Sequence, residues 1–311
     1  MEVPWRLPVM QAPVGPAATP ELVHAVTDAG GLGTLAASWT PLSALREEVR
    51  WLRAALEAPF CVNLVLAFEQ RERLELALDE GADVISFSWG VDAQLIRMAH
   101  EAGAFVLVQV GGPDEATAAA AAGADALVVQ GIEAGGHVQA EGPLGELLRR
   151  IRPQVDVPIV AAGGIGDPES IREARGAGAD AIACGTAFLA AEEADVHPDY
   201  LDRLIEAEPA DTVLTNLFDG GWPDAPHRVI RNDTLAAWEA AGKPKPGQRP
   251  GEKEPIAARA GHHVIRYDDS QPTRDTVGDV TQMAMYAGTS VRAVIRREPA
   301  AAIVERFTAT S

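Results

Sequence analysis

The side chain best suited to handling a proton is His137, which follows two glycines in the segment VVQGIEAGGH. Imidazole has an unperturbed pKa close to neutrality, so it exchanges a proton readily at physiological pH. Gly135 and Gly136 let the backbone pass closely over a flat ring and present the imidazole at its edge. The alternative is a loop histidine held by a backbone hydrogen bond. Farther on, two glycine-containing turns follow short apolar runs: Gly163-Gly164-Ile165, and Ala183-Cys184-Gly185-Thr186. Without a Cβ in the way, backbone N–H groups there can approach a phosphate, and a short helix N-terminus adds a favourable dipole. Either turn alone is also explained as a tight strand-to-helix connection; the two in succession favour phosphate. Asn63 in FCVNLVL and Gln130 at the end of ALVVQ place amides inside apolar runs. A buried amide must find partners, either structural ones or an amide-rich ring.

The remaining histidines carry less. His24 and His100 lie in helical patterns, His197 and His227 sit beside prolines in loops, and His262 and His263 follow a Pro-rich stretch. No HxH, HExxH or Cys–His spacing points to a metal, and neither a nucleophile elbow nor a Walker A sequence is present.

The elements that must position these residues recur along the chain. A helical stretch closes on glycine and a short Val/Ile/Leu/Ala run follows, as in DEGADVISFS, EAGAFVLVQV, AAGADALVVQ and GAGADAIACG. Runs of this kind that do not alternate are strands buried on both faces, as in a parallel sheet. The pattern predicts strands at 8–12, 32–36, 60–65, 83–88, 104–110, 125–130, 158–162 and 180–184. Helices are expected at 20–29, 41–57, 69–80, 91–102, 114–122, 143–152 and 168–177. Thr19-Pro20, Thr40-Pro41 and Asp167-Pro168 supply capping groups before a first-turn proline. Eight strand–helix units within about two thirds of the chain favour a closed (β/α)8 TIM barrel over a doubly wound sheet. In such a barrel the site lies at the C-terminal ends of the strands, where Gln130, His137 and the two glycine turns fall and toward which the third strand carries Asn63.

The rest reads as a C-terminal helical and loop extension. Residues 187–240 look helical with a loop around FDGGWPDAP (218–226), 241–262 look like an extended arm or loop, and 279–297 look helical again. The division is a barrel over 1–215 and an extension over 216–311 packed beside it rather than folding alone.

Composition bounds the partners. Hydrophobic residues at 47% and charged residues at 23% are those of a globular protein able to bury a large core. A formal net charge of -19 opposes nucleic acid, and the basic stretch Lys243, Lys245, Arg249 and Lys253 reads as a solvated loop. No apolar run is long enough to span a bilayer, and the start does not resemble a signal peptide, which points to the cytoplasm. Cys61 and Cys184 are expected as buried, reduced thiols. A homo-oligomer is compatible with this reading.

Taken together, the segments APVGP, TPELVHAVTDAGGLGTL, FCVNLVL, VISFSWG, VVQGIEAGGH, VPIVAAGGIGD, ACGTAFL and MAMYAGTSV resemble the nitronate monooxygenase family, also called 2-nitropropane dioxygenases. The resemblance covers roughly residues 7–230 and the tail motif. It implies an FMN cofactor contacted by Asn63, Gln130, Gly135, Gly164 and Ala183-Cys184-Gly185-Thr186, with Gly136 and Gly163 beside them. It also implies that Ala12-Pro13-Val14 lies against the isoalloxazine and that His137 is the catalytic base or hydrogen-bond donor. The reaction implied is oxidation of a small-molecule alkyl nitronate with O2. Val14-Gly15 stands where the family has Met-Ala-Gly, the stretch after His137 is divergent, and Thr289 replaces the usual Gln; these bear on the substrate. The alternatives are an FMN-dependent NAD(P)H-using reductase of the enoyl-acyl-carrier-protein or quinone type on the same barrel, and a flavin- or phosphate-binding barrel without turnover.

Overall fold

The computed structural model describes residues 3–309. In chain order the barrel comprises β1 (Val9–Gln11), α1 (Pro20–Asp28), β2 (Thr34–Ala36), α2 (Leu42–Ala55), β3 (Cys61–Val65), α3 (Arg71–Asp79), β4 (Val84–Ser88), α4 (Ala93–Glu101), β5 (Phe105–Val110), α5 (Pro113–Ala122) and β6 (Ala126–Gln130). The two-residue β7 (Gly136–His137) is an insertion, after which α6 (Leu144–Ile151), β8 (Ile159–Ala162), α7 (Pro168–Gly176) and β9 (Ala181–Cys184) complete the barrel. The extension contains α8 (Pro198–Glu206), β10 (Thr212–Thr215), β11 (His227–Ile230), α9 (Asp233–Ala240), β12 (Pro255–Arg259), β13 (His262–Ile265), β14 (Val277–Gly278) and α10 (Ala300–Thr308).

Eight strands pair in parallel in the order β1-β9-β8-β6-β5-β4-β3-β2. The seam between β1 and β2 closes through the Met10–Leu32 bridge, with the Gln11 N–H donating to Leu32 O at 2.9 Å. Where the two backbones then diverge, the buried Gln11 Oε1 accepts from the Thr34 N–H at 2.9 Å and replaces a ladder bond. A side-chain amide thus satisfies a strand end that would otherwise be left unpaired in the interior.

Strand alternation sorts the core into two shells. Outward residues such as Val62, Leu64, Val106 and Val108 pack against the helices. Inward residues Cys61, Val84, Leu107, Ala126, Val160 and Ala181 fill the lower barrel, which Trp5 closes by an edge contact on Phe105. One step higher, the inward positions become Asn63, Ser86, Gln109 and Gln130, with the small Ala162 and Ala183 beside them. The interior therefore changes from packed hydrocarbon to amides and space as the strands reach their C-terminal ends.

The barrel helices start and stop close to the expected positions. Thr19 caps α1 by accepting from the Leu22 N–H, and Asp167 caps α7 in a reciprocal box with Ser170. Thr40 does not cap; α2 starts one residue later, with Pro41 at its N-cap. Cys61 and Cys184 are buried free thiols.

The extension departs from expectation. Residues 187–240 are not continuously helical: β10 and β11 form an antiparallel pair between α8 and α9, and β11 pairs again with β7 of the barrel mouth. TVLT and HRVI are β-branched segments that find their partners only through tertiary contact. The arm at 241–262 ends in the β12–β13 hairpin instead of remaining a loop. Lys243, Lys245 and Lys253 are exposed as expected, but Arg249 is not solvated: it pairs with Asp219 at 2.8 Å and Glu252 at 2.7 Å and lies over the Tyr267 ring. Residues 279–297 form only 3-10 turns at Val280–Gln282 and Thr289–Ala293, because this stretch crosses the barrel mouth. The helix is α10, farther along, packed on α1 and β1.

Candidate active site

A cavity of about 830 Å³ opens at the C-terminal mouth of the barrel. Every site residue singled out in the sequence lines it: Ala12, Pro13 and Val14; Asn63; Gln130; Gly135, Gly136 and His137; Gly163 and Gly164; and Ala183 to Thr186.

The glycine turns after β8 and β9 lie side by side, as the parallel register of these strands requires. Gly163 and Gly164 have φ of 109° and 71°, a left-handed region that other residues avoid. Among the described residues, the N–H groups of Gly163, Gly164, Ile165 and Gly185 donate to no protein acceptor. Unpaired N–H groups from two adjacent turns form an anion cradle. The C-terminal segment closes it from above. Thr186 Oγ1 accepts from the Gly288 N–H at 2.9 Å, and Thr289 N–H donates to Glu133 O at 2.9 Å. A Cβ on Gly135 would lie 2.4 Å from Gly288 N, so this glycine is required by the crossing tail and not only by a ligand.

His137 projects into the same cavity from β7. Gln130 holds the strand in place: its amide N–H donates to His137 O at 3.1 Å, and its Oε1 accepts from the Gln139 N–H at 2.9 Å. Gln130 thus uses its amide to position the strand that bears the imidazole, the structural one of the two roles open to it in the sequence. His227 lies opposite His137 in the β11–β7 register. The His227 ring is locked in one tautomer, with Nδ1 donating to Ala225 O at 3.0 Å and Nε2 accepting from the Phe218 N–H at 3.2 Å. Protonation would set two N–H groups against each other, and burial already lowers the His227 pKa. Burial, helped by the neighbouring His227, brings His137 down to about 3. His137 Nε2 is buried without a partner, and the Trp222 indole stacks on the ring at 4.7 Å between centroids.

Asn63 donates its amide N–H to Ser86 O at 3.2 Å and to Ser86 Oγ at 3.3 Å. That orients the side chain of a buried residue that lines the cavity and uses only its N–H side. Val14 is fixed by Gln271, whose Nε2 donates to Val14 O at 2.8 Å.

Several cavity residues were not singled out in the sequence. Trp89, Trp222, Tyr286 and Asp269 all line it. Trp89 and Tyr286 stand within VISFSWG and MAMYAGTSV, segments that carry the family resemblance, and Trp222 in the loop FDGGWPDAP, but nothing local revealed where the rings would point. Asp269 carries no local signal. Burial, with Asp268 and Asp219 nearby, raises its carboxyl to about 6.

A closed (β/α)8 barrel with open backbone N–H groups on its last two strand ends and an imidazole across the mouth belongs to the class of barrels whose C-terminal face is suited to a phosphate-bearing ligand. The nitronate monooxygenase family model matches residues 3–72 and 67–310, and the chain belongs to that family. A nitroalkane oxidase structure from Streptomyces ansochromogenes is 31% identical with a TM-score of 0.78, covering 98% of this chain and 96% of that one. FabK from Thermotoga maritima is 28% identical with a TM-score of 0.83, covering 98% and 93%. A Mycobacterium tuberculosis protein named (3aS,4S,5R,7aS)-5-hydroxy-7a-methyl-1-oxo-octahydro-1H-indene-4-carboxyl-CoA dehydrogenase is 36% identical over 244 residues, 76% of this chain. The chain spans 66% of that relative's length. Among the described residues, no helix is long and apolar enough to cross a membrane.

Proposed function

We propose that this chain is an FMN-dependent oxidoreductase that oxidises alkyl nitronates with O2. The observation that carries the reading is the pairing of the open N–H cradle at Gly163, Gly164 and Gly185 with an unpartnered imidazole nitrogen on His137 in one cavity. These residues fit the group: the cradle suits a phosphate, the Ala12-Pro13-Val14 segment offers a flat apolar support, and Asn63 keeps an acceptor for a ring N–H. When bound, FMN would supply the capacity to accept electrons from the nitronate and deliver them to O2.

The chain's own residues then act as follows. The crossing tail at Gly288 and Thr289 ties the turn after β9, through Thr186, to the loop after β6, through Glu133. Gln130 fixes the height of His137 above the barrel. At neutral pH the His137 imidazole carries no charge, and its low proton affinity makes it a poor base toward a neutral nitroalkane. A neutral imidazole with its proton on Nε2 can instead donate to the oxygen of an anionic nitronate and orient it. Of the two roles the family resemblance implies, the second is supported by the burial of the ring, which disfavours its charged form, and by the unpartnered Nε2. Residues 1–215 are the cofactor-binding barrel in this reading, and 216–311 supply the cover over its mouth.

The likeness to FabK over nearly the whole chain supports a second reading, an NAD(P)H-dependent FMN reductase. Anaerobic mixing separates the two. Propyl-2-nitronate should bleach the flavin absorbance rapidly and NADH should not; the reverse outcome rejects nitronate oxidation.

A further inference from the structure

Three successive strand-end loops each carry an aromatic ring: Trp39 after β2 and Trp89 after β4 line the cavity, and Phe68 after β3 packs against Trp39 and Trp222. A fourth ring, Trp222, arrives from the loop between β10 and β11. Trp222 is the hub, with centroid distances of 6.2 Å to Trp39, 5.2 Å to Phe68 and 4.6 Å to Trp89. In the closed strand order, β3 and β4 stand across the barrel from β8 and β9, so the aromatic sector faces the anion cradle from the opposite side of the cavity.

Packing alone does not account for these rings. Trp39 is 57% exposed and lines the cavity. Trp89 has a φ of 60°, a conformation that bulky residues rarely adopt, and the Gln139 side chain holds it by accepting from the Trp89 N–H at 2.9 Å. Strain of this kind persists where the surroundings impose it, and it concentrates at ligand sites. The rings meet through edge and tilted contacts, with interplanar angles of 55° to 72°, and form one contiguous apolar cluster. Aromatic surfaces favour flat partners that can stack or present an edge.

We infer that this cluster binds the body of the substrate, and that the alkyl nitronate the site favours carries a planar aromatic or fused-ring substituent. The inference names the substrate class of the proposed oxidoreductase and rests on that reading for the chemistry, though not for the binding. Trp39 and Trp222 are the specificity-determining residues: Trp39 offers the open face, and Trp222 joins the cluster to His137.

The test uses the purified, flavin-loaded chain and calorimetric titration with 2-naphthoate, hexanoate and choline, alongside turnover of propyl-2-nitronate. Naphthoate should bind at least ten-fold more tightly than hexanoate. Trp39→Ala and Trp222→Ala should each bring that ratio close to one, and Trp222→Phe should retain most of it. Flavin occupancy reports folding, and Trp39, being exposed, carries the test if Trp222→Ala does not fold. Equal binding of naphthoate and hexanoate, a preference that survives both alanine variants, or tighter binding of choline overturns the aromatic site. Naphthoate preference without any nitronate oxidation supports the site while rejecting the proposed activity. Nitronate oxidation without that preference does the reverse.

Discussion

His137 and His227 face each other across adjacent antiparallel strands with ring centroids 5.5 Å apart, and burial keeps both imidazoles from taking up protons. His227 is held by two hydrogen bonds, one of which, accepted by Nε2 from the Phe218 N–H, needs its neutral form, whereas the His137 Nε2 has no partner. One histidine is thus a strut and the other is available.

This pair makes the fold acid-sensitive. The unfolded chain binds a proton on each histidine as the pH falls below about 6.5, and the native chain resists until about 3 at His137. More protons are bound by the unfolded state in that window, so stability is present above it and is lost as pH falls through it, by up to about 1.4 kcal/mol per pH unit per histidine. Denaturant melts from pH 7 to pH 4 should show the decline, and His137→Gln should reduce its slope. An unchanged slope in that variant would exclude His137 as a source.

Asp269 acts with the opposite sign. Its native pKa is raised to about 6, so its contribution is complete below the unfolded value near 3.8 and is lost as pH rises through about 6. Asp269→Asn should therefore raise the melting temperature at pH 8 and leave it nearly unchanged at pH 4. Equal effects at the two pH values would show that the gain is not electrostatic.

His137→Ala should retain flavin and reduce nitronate turnover by about 10²-fold, the lower end for loss of a positioned acid–base or donor group. Because the imidazole is already neutral, the pH profiles of wild type and variant on preformed nitronate should have the same shape between pH 5 and 8. A limb present in the wild type and missing in the variant would refute the neutral-donor role.

Gly164→Val should lower flavin occupancy and stability together. A Cβ there meets Glu133 Cβ at 2.9 Å, and the φ of 71° strains any β-branched residue, at a cost of about 1–3 kcal/mol. Flavin content of the purified variant and its melting temperature are the measurements. Full occupancy would place the phosphate elsewhere.

Arg249→Ala should destabilise the extension. Its guanidinium is largely buried between Asp219 and Glu252 and stacks over Tyr267, so its removal strands two carboxylates at a cost of about 3 kcal/mol. Chemical denaturation should register the loss; a change within 0.5 kcal/mol, about that of an exposed surface site, would mean the pairs are not worth their desolvation.

By itself the sequence determined the barrel and its two glycine turns. The runs VISFS, ALVVQ and AIAC are short, apolar and non-alternating, and glycine and proline punctuate them, so their identity as buried parallel strands follows from local pattern alone. Gly163 and Gly164 were legible because a left-handed turn needs glycine whatever surrounds it. Only the tertiary structure decided the rest. β10 and β11 are strands because they pair with each other and β11 with β7, Arg249 is buried because Asp219 reaches it from thirty residues away, and residues 279–297 are drawn out because they bridge the mouth. The character of His137 belongs with these: neighbours remote in sequence, His227 and Trp222, set its charge and cover its face, and interactions at such separation leave no trace in local composition.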